Sequence, residues 1–286
     1  MASSSVSAGI AGAGLGLRPE HFQDFIRSPQ PVDWIEILTD NYLVPGGKPL
    51  YFLEKIRSDY PVTMHGVAMN LGSVDPLDLD YLKRVRGLAD RIEAHYVSDH
   101  LCWTGFAGQR LYDLLPMPFT EESVEHMVQR IQLAQEILGR PLVVENLSSY
   151  LANPSGMREW EFISEIVTRS GCLLLLDVNN IYVSSRNHGF NPIDYLEGIS
   201  RCPVALCHMA GHTDYGDHCI DTHDREICDD VWRLYRKTLQ MLGVAVPTLV
   251  ERDDDIPEIG VLLRELDRIR EYQQQLTEPH SGVPYL

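Results

Sequence analysis

The sequence lacks several features that mark common classes of protein. Its 286 residues contain no apolar run of about 18, so no membrane span is expected. The N-terminal segment MASSSVSAGIAGAG has neither a basic region nor a sustained hydrophobic stretch, so no signal peptide is predicted. The six cysteines form no CxxC pair, and several lie in apolar segments. We therefore expect a cytoplasmic protein with reduced cysteines and no disulfide framework.

Basic residues are also scarce. There are 24 Lys and Arg residues against 41 Asp and Glu, a formal net charge of −17. Proteins bind nucleic acid largely by releasing counterions from phosphates with Lys and Arg, so this balance disfavours a nucleic-acid partner. A bound cluster of metal cations would offset part of the negative charge.

Apolar runs of strand length recur along the chain, with segments of helical periodicity between them. Eight such runs alternating with helices favour a closed (β/α)8 TIM barrel, an α/β fold, over an open sheet. Residues 1–286 are predicted to form a single domain, with about 273–286 as a loosely held tail. The predicted strands are 10–17, 32–38, 62–67, 95–99, 142–146, 172–178, 204–208 and 247–251.

Three further segments have predictable structure. Thr120 is a suitable N-cap for a helix that continues to Leu138. A second helix is predicted from about Arg225 to Leu242, with Gly243 as its stop. The stretch Cys102–Pro118 is too long for a bare loop and is expected to form a hairpin or flap over the barrel mouth.

Side chains that can bind metals stand at the ends of the predicted strands. They follow the runs PVTMH, HYVSDH, PLVVEN, CLLLLDVNN, PVALCH and PTLVE, and two more lie in the polar loop CIDTHD. Parallel strands that deliver ligands from one end predict a multinuclear metal site at the C-terminal mouth of the barrel. The candidate ligands are His65, His100, Glu145, Asp177, Asn180, His208, Asp221, His223 and Glu251.

The candidate ligands divide into three groups, with Glu145 as a bridge between two ions. Imidazole and carboxylate without a clearly placed thiolate suit iron, manganese or zinc, and argue against a structural cysteine–zinc site. The groups are His65, His100 and Glu145; Glu145, Asp177, His208 and Glu251; and Asp221 and His223 with help from Asn180.

The order of the ligands resembles that of the trinuclear-zinc apurinic endonucleases, which use the same barrel. In that family a histidine stands three residues after the aspartate of the sixth strand, whereas this chain has Asn180 there. The basic surface that DNA binding requires is also missing, given the charge of −17. A hydrolase or isomerase of this barrel type, using zinc or manganese, remains the alternative function.

A second resemblance covers nearly the whole chain. The motifs HGVAMNLGS (65–73), SDHLCW (98–103), ENLSSY (145–150), LDVNNIYVSSRNHGF (176–190), HMAGH (208–212), DTHD (221–224) and ERDDDIP (251–257) resemble the multinuclear non-haem iron-dependent oxidative enzymes. The resemblance implies a TIM barrel, two or three irons cycling between Fe2+ and Fe3+, and O2 as co-substrate. When the metal ligands of this family are carried over position by position, they fall on the same nine residues of this chain.

The resemblance also implies a substrate and a partner. The substrate would be a ribosomally made precursor peptide containing cysteine, delivered by a small peptide-recognition protein. Its thiolate would bind iron, hydrogen would be abstracted from the β-carbon, and the outcome would be β-carbon excision or an oxazolone or thioamide rearrangement. The expected protein is therefore an iron- and O2-dependent oxidase.

Five other residues are candidates for roles around the metals. His212, four residues after His208, is a candidate proton-transfer group or further ligand. Many relatives have Glu-His where this chain has Asp99-His100, which makes Asp99 a candidate support for the ligands. The loop residues Arg186, Asn187 and His188 are candidates for binding a peptide carboxylate.

Overall fold

The computed structural model describes residues 9–151 and 156–277. Its strands are β1 Ala13–Gly16, β2 Trp34–Leu38, β3 Val62–His65, β4 Val97–His100, β5 Cys102–Phe106, β6 Gln109–Pro116, β7 Val143–Glu145, β8 Leu173–Asp177, β9 Val204–Met209, β10 Thr213–Asp214, β11 Cys219–Ile220 and β12 Thr248–Val250. Its α-helices are α1 Phe22–Arg27, α2 Lys48–Ile56, α3 Leu79–Ile92, α4 Glu121–Leu138, α5 Glu159–Ser170, α6 Val178–His188, α7 Pro192–Gly198, α8 Asp229–Leu242 and α9 Ile259–Thr277.

Eight of these strands close into a parallel barrel in the order β1, β2, β3, β4, β7, β8, β9 and β12, where β12 pairs with β1. Each of them lies at one of the eight predicted apolar runs, so the predicted (β/α)8 barrel is confirmed. The remaining strands form two antiparallel hairpins, β5 with β6 and β10 with β11. The β5–β6 hairpin is the structure expected for 102–118. None of the helices in the described ranges has the length and apolar character needed to span a bilayer.

The two predicted helices are present, with one boundary changed. Thr120 caps α4 by accepting a hydrogen bond of 3.2 Å from the Ser123 N–H. The second helix begins at Asp229 instead of Arg225. The preceding residues are held by contacts outside a helix, since the Ile227 N–H donates to Glu265 on α9.

The predicted tail begins later than expected. Helix α9 continues to Thr277, and Gln273 is buried with its amide donating to the Val246 carbonyl at 2.8 Å. The start of the tail at about 273 is therefore wrong, and residues 278–286 lie outside the described residues.

The barrel interior is built in layers, because alternate residues of each strand point inward. A buried apolar cluster consists of Ile10, Trp34, Val143, Leu175, Leu206 and Leu249. Two residues after the last five of these, on the same inward face, stand buried polar side chains: Glu36, Glu145, Asp177, His208 and Glu251. The apolar layer thus closes the barrel beneath a layer of carboxylates and imidazole at the mouth.

Candidate metal centre

The first predicted group of ligands comes together at the ends of β3, β4 and β7. The Nε2 atoms of His65 and His100 each lie 3.2 Å from Oε2 of Glu145. Their other ring nitrogens are held: His65 Nδ1 lies 2.8 Å from the Ser98 hydroxyl, and His100 Nδ1 lies 3.1 Å from the Gly66 carbonyl. A carbonyl can only accept, so Nδ1 of His100 carries the proton and Nε2 is free to bind a metal.

The second predicted group lies beside it and shares Glu145. Nδ1 of His208 is 3.1 Å from Oε2 of Glu251 and 3.6 Å from Oε1 of Glu145. Asp177 completes the group, and the ligand atoms of all four residues lie within 4.8 Å of one another. The two oxygens of Glu145 therefore face different groups, as a carboxylate that bridges two ions would.

The third predicted group is assembled less fully. Asp221 and His223 are delivered by the β10–β11 hairpin, with His223 Nε2 2.7 Å from Asp221 Oδ1. The amide nitrogen of Asn180 donates to the Asn146 carbonyl, which fixes the orientation of the side chain. Its buried Oδ1 has no hydrogen-bond partner among the described residues. His223 also lies 3.1 Å from Asp253, a residue outside the predicted set.

Backbone strain occurs at this third group. His223 has φ of 49°, in the left-handed region that only about a few per cent of non-glycine residues adopt. Its N–H donates to the Gly211 carbonyl and its carbonyl accepts from Asp253, so the strained conformation is held from both sides. Non-glycine residues in this region concentrate at functional sites.

Unpaired polar atoms support a fit to cations. Among the described residues, five buried ligand atoms of the cluster have no partner with good hydrogen-bond geometry, although some lie close to one another: Glu145 Oε2, Asp177 Oδ2, Asn180 Oδ1, His208 Nδ1 and His223 Nε2. Each such group costs about 1–3 kcal/mol when left unsatisfied in a protein interior. These nitrogen and oxygen donors are the ones that iron, manganese and zinc prefer, so the residues fit a group of such ions.

The electrostatics of the cluster also favour metal ions. Burial raises the pKa of Glu145 well above its usual value, and burial together with Asp221 raises the pKa of Asp177 to about 7. Burial lowers the pKa of His100 to about 4. The His100 imidazole is therefore neutral at physiological pH. The charges of Glu36 and Glu251 outweigh burial and raise the pKa of His208, and those of Asp221 and Glu251 do the same for the pKa of His223. These two rings supply positive charge to the buried carboxylates, which bound metal ions would supply instead.

A cavity of about 230 Å³ at the barrel mouth, called here the metal-facing cavity, is lined by all the candidate ligands except Asp177 and His208. A cleft of about 580 Å³ adjoins it between the β5–β6 hairpin and the loop after β3. Val67, Asp113 and Leu114 line both spaces, so the cleft leads to the metal-facing cavity.

Asp99 contacts the backbone of His100 and of the loop after β3. Because side chains alternate along a strand, Asp99 points to the opposite face of β4 from His100. Its carboxylate accepts from the Met69 and His100 N–H groups and contacts no ring nitrogen of the ligand histidines. Asp99 therefore anchors the loop after β3, and we assign it no catalytic role.

His212 contacts the cluster only through another residue. Its Nδ1 lies 2.8 Å from the Asn179 side-chain oxygen, and the Asn179 amide donates to Asp221 at 2.7 Å. The ring is half-buried against Tyr182. His212 is thus placed to orient Asp221 through Asn179, and a role in proton transfer stays a prediction.

The three residues predicted to bind peptide were expected in a loop, but they form the last turn of α6. Asn187 donates to the Ser149 and Cys219 carbonyls, and His188 lies 3.0 Å from the Ser149 hydroxyl. These contacts join neighbouring loops, so Asn187 and His188 brace them, and peptide binding by these two residues stays a prediction. Arg186 is half-exposed and lies 3.8 Å from Asp214, and peptide binding by it stays a prediction.

Two residues near the ligands were missed. Glu36 lies 3.0 Å from Nε2 of His208, and Asp253 lies close to His223 and Glu251. Glu36 could have been found, since it follows an inward-facing apolar residue by two positions, as four of the ligands do. Asp253 depends on a loop conformation that strand periodicity does not specify.

The fold and this cluster define a class: a TIM barrel with imidazole and carboxylate side chains, spaced as metal ligands would be, gathered at the carboxyl ends of its strands. Residues 12–274 match the family described as RiPP precursor modification enzyme MbnB/TglH/ChrH, where RiPP denotes a ribosomally made, modified peptide. The chain belongs to this family.

Relatives of known sequence extend over almost the whole chain. A UPF0276 protein of Caulobacter vibrioides is 49% identical over 262 residues, covering 91% of this chain and 93% of its own. A UPF0276 protein of Anaeromyxobacter sp. (strain Fw109-5) is 46% identical over 265 residues, covering 92% and 93%. At this identity and coverage, both show that the chain also belongs with the UPF0276 proteins.

Solved structures share the barrel at low sequence identity. An L-ribulose 3-epimerase superposes with a TM-score of 0.60 at 12% identity, covering 95% of this chain and all (100%) of its own. Endonuclease IV from Thermus thermophilus gives 0.59 at 16% identity, covering 91% and 99%. These similarities show the fold alone.

Proposed function

We propose that this protein is an iron- and O2-dependent oxidase that modifies cysteine in a ribosomally made precursor peptide. The observation that carries the proposal is the position of Glu145 between two groups of ligands in a chain of this family. Its Oε2 faces His65 and His100, while its Oε1 faces His208. The residues on both sides of Glu145 would hold two ions, which would supply redox chemistry for a substrate and an oxidant bound close together.

The residues present would hold the metals in distinct ways. His65, His100 and Glu145 would bind one ion, and Glu145, Asp177, His208 and Glu251 a second. Asn180, Asp221 and His223 would hold a third. Bound iron would supply one-electron redox chemistry with O2 and a coordination position for a substrate thiolate, whose proton metal coordination displaces.

The chain's own groups would orient the ligands and enclose the reaction. Ser98 and the Gly66 carbonyl fix the rings of His65 and His100. The cavity of about 230 Å³ has room for a cysteine side chain, and the adjoining cleft for the residues that flank it. A peptide lying there would cover the cavity and limit the access of water to the reacting carbon.

The test uses a cysteine-bearing precursor peptide encoded beside this chain. It is incubated with the protein, Fe(II) and O2, with and without a neighbouring peptide-recognition protein, and analysed by mass spectrometry. We expect a change of mass that requires both iron and O2. The Cys→Ser peptide should stay unchanged, because a hydroxyl is a far poorer metal ligand than a thiolate at neutral pH.

The controls separate this proposal from the alternative of a zinc or manganese hydrolase or isomerase. Glu145→Ala protein should leave the peptide unmodified. An unchanged peptide mass under every condition, together with hydrolysis of an abasic site or conversion of a sugar by the zinc or manganese form, would overturn the oxidase proposal.

A further inference from the structure

Glu36 is a buried carboxylate that the proposed metal set does not use. It lies on β2 with 3% of its surface exposed. Its Oε2 accepts a hydrogen bond of 2.8 Å from the Thr63 hydroxyl on β3. Its Oε1 lies 3.0 Å from Nε2 of His208, at hydrogen-bond distance although without ideal hydrogen-bond angles. Among the described residues, no Lys or Arg forms an ion pair with it, which makes its burial costly.

His208 stands between Glu36 and the second group of ligands. Its Nδ1 faces Glu251 and Glu145, while its Nε2 faces Glu36. A neutral imidazole has one nitrogen that donates and one that accepts. A metal needs the accepting nitrogen, so the proton of a metal-bound His208 must sit on the nitrogen that faces Glu36.

From this geometry we infer that Glu36 is a positioning residue for the metal centre. It holds the proton of His208 on Nε2, orients the ring between β2 and β9, and directs the lone pair of Nδ1 toward the second metal. Thr63 fixes the carboxylate from the other side. A carboxylate on the far nitrogen of a ligand histidine also makes the ligand more basic and thereby strengthens metal binding.

The inference rests on the metal centre of the proposed function but not on peptide oxidation. It is tested by the dissociation constant of Co(II), titrated into the metal-free full-length protein and followed by visible absorption. Glu36→Met removes the acceptor at similar volume, and Glu36→Gln keeps an oxygen that can accept from Nε2–H. Because no peptide or O2 is needed, failure of this test and failure of the oxidase proposal are separate results.

We expect Glu36→Met to weaken one class of Co(II) site by about 10- to 100-fold, the usual effect of losing such a support. Glu36→Gln should weaken it less and alter its absorption spectrum. On a His208→Ala background, neither change at Glu36 should weaken binding further, because its effect passes through that ring. The matched control is Glu265→Gln, which changes a buried carboxylate on α9 outside the cluster and should leave Co(II) affinity at the parent value.

Two results would overturn the inference. One is unchanged affinity in both Glu36 variants. The other is a loss that is equally large with and without His208, which would mean that Glu36 acts on the fold or binds metal itself. If Glu36→Met does not fold by circular dichroism, Glu36→Gln and its pairing with His208→Ala decide between the same outcomes.

Discussion

At the scale of single residues, Glu145 is the side chain on which both main ligand groups depend. It ends β7 beside His100, its direct neighbour in the register with β4, and reaches across the barrel toward His208. Buried carboxylates without a counter-charge are costly, and burial raises the pKa of Glu145 for that reason. A residue in this position should affect more than one ion.

We predict that Glu145→Ala lowers the metal content by about two ions per chain, whereas Glu251→Ala lowers it by about one. The reason is that Glu145 belongs to both groups and Glu251 to one of the two. The measurement is elemental analysis of folded, iron-reconstituted protein. Equal losses in the two variants would show that Glu145 does not bridge.

The third ligand group competes with a second possible set of ligands around His223, and mutations can distinguish the two. If Asn180, Asp221 and His223 hold an ion together, Ala at each position should remove about one iron while the chain stays folded. His223 also lies within reach of Glu251 and Asp253, which form another set with the spacing of ligands. If Asp253→Ala loses an ion and Asn180→Ala loses none, the third ion is to be assigned to His223, Glu251 and Asp253 instead.

At the scale of elements, one guanidinium on α4 fastens the loop that lines the cleft. Arg130 donates to the carbonyls of Asn70, Leu71 and Asp75 at 3.0, 2.6 and 2.7 Å. This loop follows β3, which carries His65. Holding three carbonyls from one side chain fixes the loop without any regular secondary structure in it.

Arg130→Met should therefore destabilise the protein by about 2 kcal/mol, since hydrogen bonds from a charged donor contribute more than neutral ones. Arg169→Met is the matched control, because it removes an exposed ion pair with Glu121 and should destabilise the protein less than Arg130→Met does. Urea unfolding of both variants gives the comparison. Equal destabilisation of the two variants would show that the three hydrogen bonds of Arg130 add nothing beyond a surface ion pair.

Helix α9 carries a carboxyl whose titration affects stability. Burial raises the pKa of Glu265, although the hydrogen bond from the Ile227 N–H and the charge of Arg252 oppose the shift. A carboxyl whose pKa is higher in the folded than in the unfolded protein holds its proton more firmly when folded. The stabilisation that protonated Glu265 gives the folded protein is thus present at acidic pH and is lost as the pH rises through the raised pKa.

The unfolding free energy of the parent relative to Glu265→Gln should accordingly fall as the pH rises above about 4.3, the ordinary pKa of Glu. Denaturation of the metal-free proteins at a series of pH values measures it. A difference between parent and variant that does not change with pH, or that grows, would contradict the assignment.

At the scale of the whole molecule, the periodicity of the strands was the most informative feature for predicting the fold and the candidate site. The eight apolar runs and the residues that follow them were enough to predict the barrel and the first two ligand groups, because parallel strands end at one rim. The outward direction of Asp99 follows only after His100 is placed on the inward face, because neighbouring residues of a strand point to opposite faces. Asp253 and the bracing contacts of Asn187 depend on loop conformations, which local sequence patterns do not determine.

The central claim is that two or more irons lie at the mouth of this barrel and share Glu145. Its most direct test is a crystal structure of anaerobically iron-loaded protein with anomalous data collected on both sides of the iron absorption edge. We predict one iron peak among His65, His100 and Glu145 and another among Glu145, Asp177, His208 and Glu251. Absence of iron signal at both positions, or a single ion that does not contact Glu145, would contradict the account.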